Sequence, residues 1–166
     1  YAHVYNYEGG GVSFNSGVSC KLIEGHRGMM NARQVEKAIN PPDFYHSPLT
    51  TLVSLENTTN KGGGACWDLE EMKAIRRVCD DHGLKYHLDG ARLWNAMVAK
   101  QQDPKDFGNL FDTISVCFSK GLGCPVGSML VGSKADMDKA LLNLFTIRMR
   151  TGEFDPPSMD PYAMYQ

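Results

Sequence analysis

The sequence predicts an α/β domain with a mostly parallel sheet and flanking helices. Short runs rich in β-branched and leucine residues alternate with stretches of helical periodicity, which is the pattern of β-α-β units. The run at 113–118 is apolar on consecutive residues, as expected of a strand buried on both faces. Polar residues follow several of these runs directly, and ligands of such sheets bind at the carboxyl ends of the strands.

The first third of the chain contains two predicted strands and one helix. Residues 2–8 form the first predicted strand, ahead of three consecutive glycines, and residues 19–23 form the second. Asn31 is expected to cap a helix, because Gln34 follows three residues later in a capping-box pattern. The prolines at 41 and 42 should end that helix, since proline lacks the N–H that helix continuation needs.

The middle of the chain carries the clearest helix. Residues 51–56 are predicted as a strand that ends on Glu56. Asp68 should cap the next helix, which Gly83 should end. Its apolar residues fall on one stripe: Leu69, Met72, Ile75, Val78 and Cys79. Residues 84–88 are then predicted as a strand.

The last third is predicted to contain two more strands and two helices. A short helix at 91–99 precedes a turn at Asp103-Pro104, and strands follow at 113–118 and 127–132. The final helix is expected at 136–150, and an irregular proline-rich tail follows from Thr151. Its inward residues should be Met137, Ala140, Leu141, Leu144, Phe145 and Ile147.

Composition excludes several classes of protein. The 166 residues suffice for one domain with a core, and 17 basic residues balance 19 acidic ones, so no footprint for nucleic acid or an anionic membrane is present. No apolar run reaches the length of a membrane span of about 20 residues. The five cysteines contain no CxxC pair and are interpreted as reduced thiols of a cytoplasmic protein. The first residue is not methionine, which suggests a fragment.

Lys120 lies in the most informative stretch, SVCFSKGLGCPVG at 115–127. A lysine at the mouth of a buried strand loses hydration, which lowers its pKa and makes it a usable amine nucleophile. The alternative is a surface lysine that opens a glycine-rich turn. Glu56 and Asp89 also come at or just after the ends of predicted strands, so all three groups are expected along one edge of the sheet.

Five motifs together resemble the threonine aldolases of the aromatic amino acid β-eliminating lyase/threonine aldolase family. The resemblance covers about residues 2–134 and implies part of the large domain of a pyridoxal phosphate enzyme of fold type I, truncated at both ends. The motifs are YEGGG at 7–11, SGVSCKLI at 16–23, LVSLENTTN at 52–60, HLDGARLWNA at 87–96 and SVCFSKGLGCPVGSMLVG at 115–132.

The resemblance implies roles for three residues that would hold pyridoxal 5′-phosphate. Lys120 would bond covalently to the cofactor's aldehyde, and Asp89 would pair with the pyridine nitrogen and keep it protonated. Arg92 would lie near the phenolic oxygen. The alternatives are a turn aspartate before glycine for Asp89 and an exposed helix arginine for Arg92, and spacing alone does not decide the latter.

Two histidines and one carboxylate complete the implied site. His3 matches a histidine that stacks on the cofactor ring, although a histidine in an apolar strand is more often a core residue. His46 matches a histidine near the substrate's β-hydroxyl that would help to remove its proton, and a plain loop histidine is the alternative. Glu56 matches a carboxylate that orders the active-site loops. No metal site is predicted.

The implied reaction is the cleavage of threonine or allo-threonine to glycine and acetaldehyde, and the family's members are homo-oligomers. β-Elimination from an aromatic amino acid and an inactive fragment that only associates with other chains are the alternatives. The family's phosphate-binding segment and small domain lie outside these residues, so weak or no aldolase activity is expected of residues 1–166 alone.

The predicted domain boundary divides a partial cofactor-binding domain at 1–134 from a helix and tail of different origin at 135–166. Residues 136–162 resemble a segment of family 3 glycoside hydrolases of the β-xylosidase type. The nucleophilic aspartate of those hydrolases lies in a region that has no counterpart here, so no glycosidase activity is assigned.

Overall fold

The structure is a computed structural model that describes the backbone of residues 1–150, and side chains there except at 140, 143–145 and 147–150. It divides into two compact units, Tyr1–Gly132 and Ser133–Gln166. The helices of the first unit are α1 (His3–Asn6), α2 (Gly11–Ser16), α3 (Ala32–Ala38), α4 (Leu69–Asp81), α5 (Leu93–Lys100) and α6 (Pro104–Leu110). Its strands are β1 (Leu52–Glu56), β2 (Lys85–Gly90), β3 (Thr113–Cys117) and β4 (Ser128–Gly132). In the second unit, α7 spans Lys134–Arg150.

The four strands form one sheet in the order β1-β2-β3-β4, and the predicted mostly parallel α/β architecture is confirmed. β1, β2 and β3 are parallel, whereas β4 runs antiparallel to β3. The register places Glu56 beside Asp89, and Asp89 beside Ser115. The carboxyl ends of three parallel strands therefore lie side by side.

The core lies between the sheet and the helices that pack on it. α4 contacts β2, α3 and α6, and its predicted stripe is buried at Met72, Ile75 and Cys79. Tyr86 is fully buried, and its ring lies 4.2 Å from that of Phe111. No helix in the described part of the chain is long and apolar enough to cross a membrane.

The predicted strand at 2–8 is wrong, because these residues form α1 and a 3-10 turn at Glu8–Gly10. A strand needs a neighbour to pair with its backbone, whereas here the amides of Asn6 and Tyr7 bond to carbonyls four residues back. Residues 19–23 form no strand either. Most of this stretch is exposed, and only Ile23 packs partly against the core.

The helix ends agree with the sequence in part. Asn31 and Gln34 form the predicted capping box, and Gly83 follows α4 with a φ of 64°. Asp68 precedes α4 without accepting a capping hydrogen bond, because its carboxylate binds Lys100 at 2.7 Å instead. The predicted turn at Asp103-Pro104 is the start of α6: Asp103 accepts from the Lys105 amide, and proline occupies the first helical turn.

The last helix begins at Lys134, two residues before its predicted start. Leu141 was expected to point inward but is 45% exposed, whereas Met137 is half-buried. The side chains of Ala140, Leu144, Phe145 and Ile147 and the tail from Thr151 lie outside the described residues.

Candidate active site at the carboxyl edge of the sheet

A cleft of about 310 Å³ opens where β1, β2 and β3 end. It contains three carboxylates, two basic side chains and an imidazole from separate segments of the chain. Its lining residues are His3, Val4, Glu8, Glu56, Asn60, Asp89, Ala91, Arg92, Cys117 and Lys120. The predicted convergence of Glu56, Asp89 and Lys120 on one edge is therefore what the structure shows.

Asp89 is half-buried and lines this cleft as the penultimate residue of β2. One carboxylate oxygen, Oδ1, accepts the amide of Ala91 at 3.2 Å, and no bond to the other occurs within the described residues. Gly90 allows the close approach of β2 to β3 here, since a Cβ at this position would lie 2.7 Å from the carbonyl oxygen of Ser115. The strand pairing fixes the backbone of Asp89.

Lys120 lies on the loop that joins β3 to β4. It is exposed, which corrects the expectation of a buried lysine, and its amine bonds to no residue in the described part of the chain. The loop closes on itself through bonds from the amides of Phe118 to Gly127 (2.9 Å) and of Gly123 to Lys120 (3.0 Å). This closed turn carries Lys120 to the cleft without using its side chain.

Arg92 lies at the junction between β2 and α5 and is half-buried rather than fully exposed. Its Nη1 donates a hydrogen bond to Oδ1 of Asn60 at 3.3 Å. It forms no ion pair with any residue between 1 and 150 whose contacts the structure describes. The guanidinium therefore shares the cleft with Asp89 and Lys120 and keeps donors available.

Glu56 connects the two segments that flank the cleft. Its Oε2 accepts the backbone N–H of His3 at 2.9 Å, and its Oε1 accepts the backbone N–H of Asn60 at 2.7 Å. The ring of His3 lies against Tyr7, with 4.7 Å between centroids, and its Nδ1 is 3.4 Å from Glu8. His3 is thus held at the cleft by its backbone and its ring.

His46 lies outside the cleft. It is exposed in the loop between α3 and β1, where its ring packs on Tyr45 at 3.8 Å and on Phe44 at 5.6 Å. Local turn bonds from Phe44 to Pro41 and from Ser47 to Phe44 shape this loop. The structure therefore does not bring His46 together with the other predicted site residues.

Sequence reasoning missed Asn60, Glu8 and Cys117 as cleft residues. Asn60 falls in a polar loop four residues after Glu56, and Cys117 is the last residue of β3. Polar residues within a few positions of a strand end were a signal that could have found both. Glu8 depends on the local backbone, since its φ of 57° is uncommon for a residue other than glycine.

His87 is the one histidine of the sheet and lies two residues before Asp89. Burial lowers the pKa of His87, against the opposing effects of the Asp89 carboxylate and of a hydrogen bond with the Thr113 backbone. The ring is also held by its side-chain contact with Thr113, in which Nδ1 lies 2.8 Å from the hydroxyl oxygen. The neutral imidazole therefore belongs to the packing beneath the cleft.

Comparison with known proteins identifies relatives of this architecture. Residues 1–153 match the family described as Beta-eliminating lyase, a match that includes most of the 136–162 segment. A probable low-specificity L-threonine aldolase 2 of Arabidopsis thaliana is 41% identical over 142 residues, which cover 84% of this chain and 40% of that protein. The low specificity L-threonine aldolase of Saccharomyces cerevisiae is 37% identical over 141 residues, which cover 84% of this chain and 36% of that protein.

Solved structures share the fold. A threonine aldolase of Leishmania major superposes with a TM-score of 0.72 and 26% identity, over 91% of this chain and 43% of that chain. A putative L-allo-threonine aldolase of Listeria monocytogenes superposes with a TM-score of 0.71 and 24% identity, over 91% of this chain and 39% of that chain. The chain spans about two-fifths of the length of the curated relatives that it matches.

Proposed function

The chain belongs to the β-eliminating lyase family, and from that premise we propose that it is part of a pyridoxal phosphate-dependent carbon–carbon lyase of the threonine aldolase type. The substrate would be threonine or allo-threonine, and the products would be glycine and acetaldehyde. The observation that carries this proposal is the shared cleft of Asp89, Arg92 and Lys120 at the carboxyl edge of the sheet.

The residues of the cleft fit the pyridoxal part of this cofactor. An aldehyde requires an amine that is not engaged elsewhere, and Lys120 has no partner in the part of the chain that the structure describes. A pyridinium nitrogen requires a carboxylate, and Asp89 has an oxygen to which nothing in the described residues donates. When bound, the cofactor supplies an electron-withdrawing ring that accepts the electron pair left on Cα when the Cα–Cβ bond breaks.

Each cleft residue has a distinct task in this proposal. Lys120 would supply the amine that bonds to the cofactor's aldehyde and that the substrate amine would replace. Asp89 would hold a proton on the ring nitrogen, and Arg92 would direct a cation at the phenolic oxygen. These assignments come from the resemblance of the HLDGAR and SKGLG segments to the family, and the shared cleft supports them.

The two histidines differ in their support. His3 lines the cleft, which favours its proposed place beside the cofactor ring. A role for His46 in removing the β-hydroxyl proton requires the loop between α3 and β1 to lie closer to the cleft than it does here. We therefore expect His3→Ala to impair cofactor binding more than His46→Ala.

Homo-oligomer formation is proposed for the complete protein. Several aromatic side chains of the first unit are strongly exposed: Tyr1 at 69%, Phe14 at 89% and Tyr45 at 87%. Exposed aromatic residues are enriched at interfaces, because a large apolar area is buried when subunits associate. Sedimentation velocity of the complete protein would test this proposal, and a monomer at micromolar concentration would contradict it.

Cofactor binding is the sharpest test of the proposed function. The complete protein should develop visible absorbance when pyridoxal phosphate is added, and Lys120→Ala should lose it. Lys105→Ala is the matched control, because Lys105 is an exposed lysine of α6 that does not line the cleft. Weak or no release of glycine from threonine is expected of residues 1–166. Absorbance that persists in Lys120→Ala, or that Lys105→Ala also abolishes, would refute the assignment.

A further inference from the structure

The guanidinium of Arg92 is oriented in the cleft by a hydrogen bond to another side chain. Its Nη1 donates to Oδ1 of Asn60, and no carboxylate among the described residues pairs with it. Carboxylates are nevertheless present in the same cleft, at Glu8, Glu56 and Asp89. The arginine is thus oriented by a neutral amide although anionic partners line the same space.

Glu56 is kept from pairing with Arg92 by its other contacts. Both of its carboxylate oxygens accept backbone amides, Oε2 from His3 and Oε1 from Asn60. A carboxylate that is occupied in this way gains little by turning to a guanidinium, because it would leave two N–H groups without an acceptor. The second of these bonds also fixes the backbone of Asn60 at the edge of the cleft.

The loop that carries Asn60 is held by backbone contacts that do not involve the Asn60 side chain. The amide of Thr59 bonds to Ala65 at 3.0 Å, and that of Gly64 bonds to Thr59 at 2.9 Å. Arg27 donates two further hydrogen bonds to this loop, from Nε to the carbonyl of Gly62 at 2.9 Å and from Nη2 to the carbonyl of Gly63 at 3.1 Å. The shape of the loop therefore does not depend on the Asn60 amide, and the described bond of that amide is the one to Arg92.

We propose that Asn60 is a positioning residue for Arg92, a neutral acceptor that fixes the direction of the guanidinium without compensating its charge. An arginine held in this way keeps donors and a full positive charge for an anionic oxygen of a bound ligand. A carboxylate at position 60 would hold the guanidinium as well but would compete with that ligand. The identity of the anion as the phenolic oxygen of pyridoxal phosphate rests on the proposed function, whereas the orientation of Arg92 does not.

The first test uses residues 1–166 without cofactor. Nitrogen-15 NMR of the arginine side chains, with Arg92 assigned through Arg92→Lys, reports restricted rotation of the guanidinium. We expect Asn60→Ala to average the Arg92 signals and Asn60→Asp to retain the restricted pattern. Asn109→Ala is the matched control, because Asn109 is an exposed asparagine of α6 outside this cleft. Restricted signals that persist in Asn60→Ala would overturn the proposal.

The second test makes the same substitutions in the complete protein, adds pyridoxal phosphate and measures its dissociation constant by absorbance. Asn60→Asp should weaken binding about threefold, the size expected when a partly exposed ion pair competes with the ligand. Its melting temperature should stay that of the wild type. Unchanged affinity in Asn60→Asp would overturn the electrostatic part of the proposal. A complete wild-type protein that binds no cofactor would refute the proposed function instead, and the NMR result would still decide the role of Asn60.

Discussion

Asp112 should contribute measurably to stability, because it collects three donors at the amino edge of the sheet. Its Oδ2 accepts Nη1 of Arg76 and the amide of Tyr86, both at 2.8 Å, and its Oδ1 accepts Nζ of Lys85 at 2.8 Å. Burial by itself raises the pKa of Asp112, but the hydrogen bonds from Lys85, Arg76 and the Tyr86 amide outweigh it and lower the pKa to about 2.

The perturbation that isolates this charge is Asp112→Asn, which preserves the shape of the side chain. Two charge-assisted hydrogen bonds of about 1.5 to 3 kcal/mol each are weakened. The side chain is 19% exposed, so solvent screening reduces the expected loss to about 2 kcal/mol. For a domain of this size a urea m-value of about 2 kcal/mol/M then moves the unfolding midpoint down by about 1 M.

The pH dependence of the difference gives a second check. The native pKa is about 2 against an ordinary value of 3.8, so the unfolded chain binds the proton more readily. Asp112 therefore contributes its full stabilisation of the fold above pH 3.8, and this stabilisation is lost as the pH falls through about 2. Wild type and Asp112→Asn should thus converge in stability near that lower pH.

Urea unfolding followed by circular dichroism measures both effects, with Asp80→Asn as the matched control. Asp80 also pairs with Arg76, at 2.6 Å, but is 62% exposed, so its loss should cost less than about 0.5 kcal/mol. The reasoning fails if Asp112→Asn and Asp80→Asn shift the midpoint equally. A gap between wild type and Asp112→Asn that does not shrink as the pH falls from 3.8 to about 2 would also refute it.

Two further predictions concern the loop of Asn60 and the sheet beneath the cleft. Gly62→Ala should destabilise the fold by about 2 kcal/mol in urea unfolding, because its Cβ would lie 1.9 Å from the carbonyl oxygen of Arg27. Gly108→Ala is the comparison variant, since a Cβ at Gly108 would meet nothing within 4 Å, and it should stabilise α6 by about 0.5 kcal/mol. Burial lowers the pKa of His87, so the unfolded chain takes up the proton first as the pH falls. The unfolding free energy should therefore decrease less steeply between about pH 7 and 5 in His87→Gln than in the wild type. Equal stabilities of the two glycine variants, or an unchanged pH slope, would contradict these predictions.

Local signals were sufficient where the chain's own periodicity decides the structure. β1, β2 and β3 were predicted within two residues of their observed ends, because apolar runs bounded by polar or turn residues have few other solutions. The start of α6 was missed although Asp103 and Pro104 are helix-start residues. The signal that could have found it was the spacing of Phe107 and Leu110, both of which are buried.

The segments that were predicted wrongly are those whose structure depends on contacts with residues distant in the sequence. Residues 2–8 have the composition of a strand, but no neighbouring strand pairs with them in the described part of the chain, so their amides bond within local turns. Lys120 was expected to be buried because an apolar strand precedes it. Its exposure depends on how the loop 118–127 closes, and no periodicity encodes that closure.

The same distinction explains which functional residues the sequence could place. Glu56 and Asp89 lie at ends of parallel strands, so the pairing register sets their separation as soon as the strands are identified. His46 lies in a loop, and its position follows from aromatic contacts with its neighbours Phe44 and Tyr45 that no register constrains. Chemistry carried by strand ends can therefore be predicted from a single sequence, whereas chemistry carried by a long loop requires the tertiary contacts that hold the loop in place.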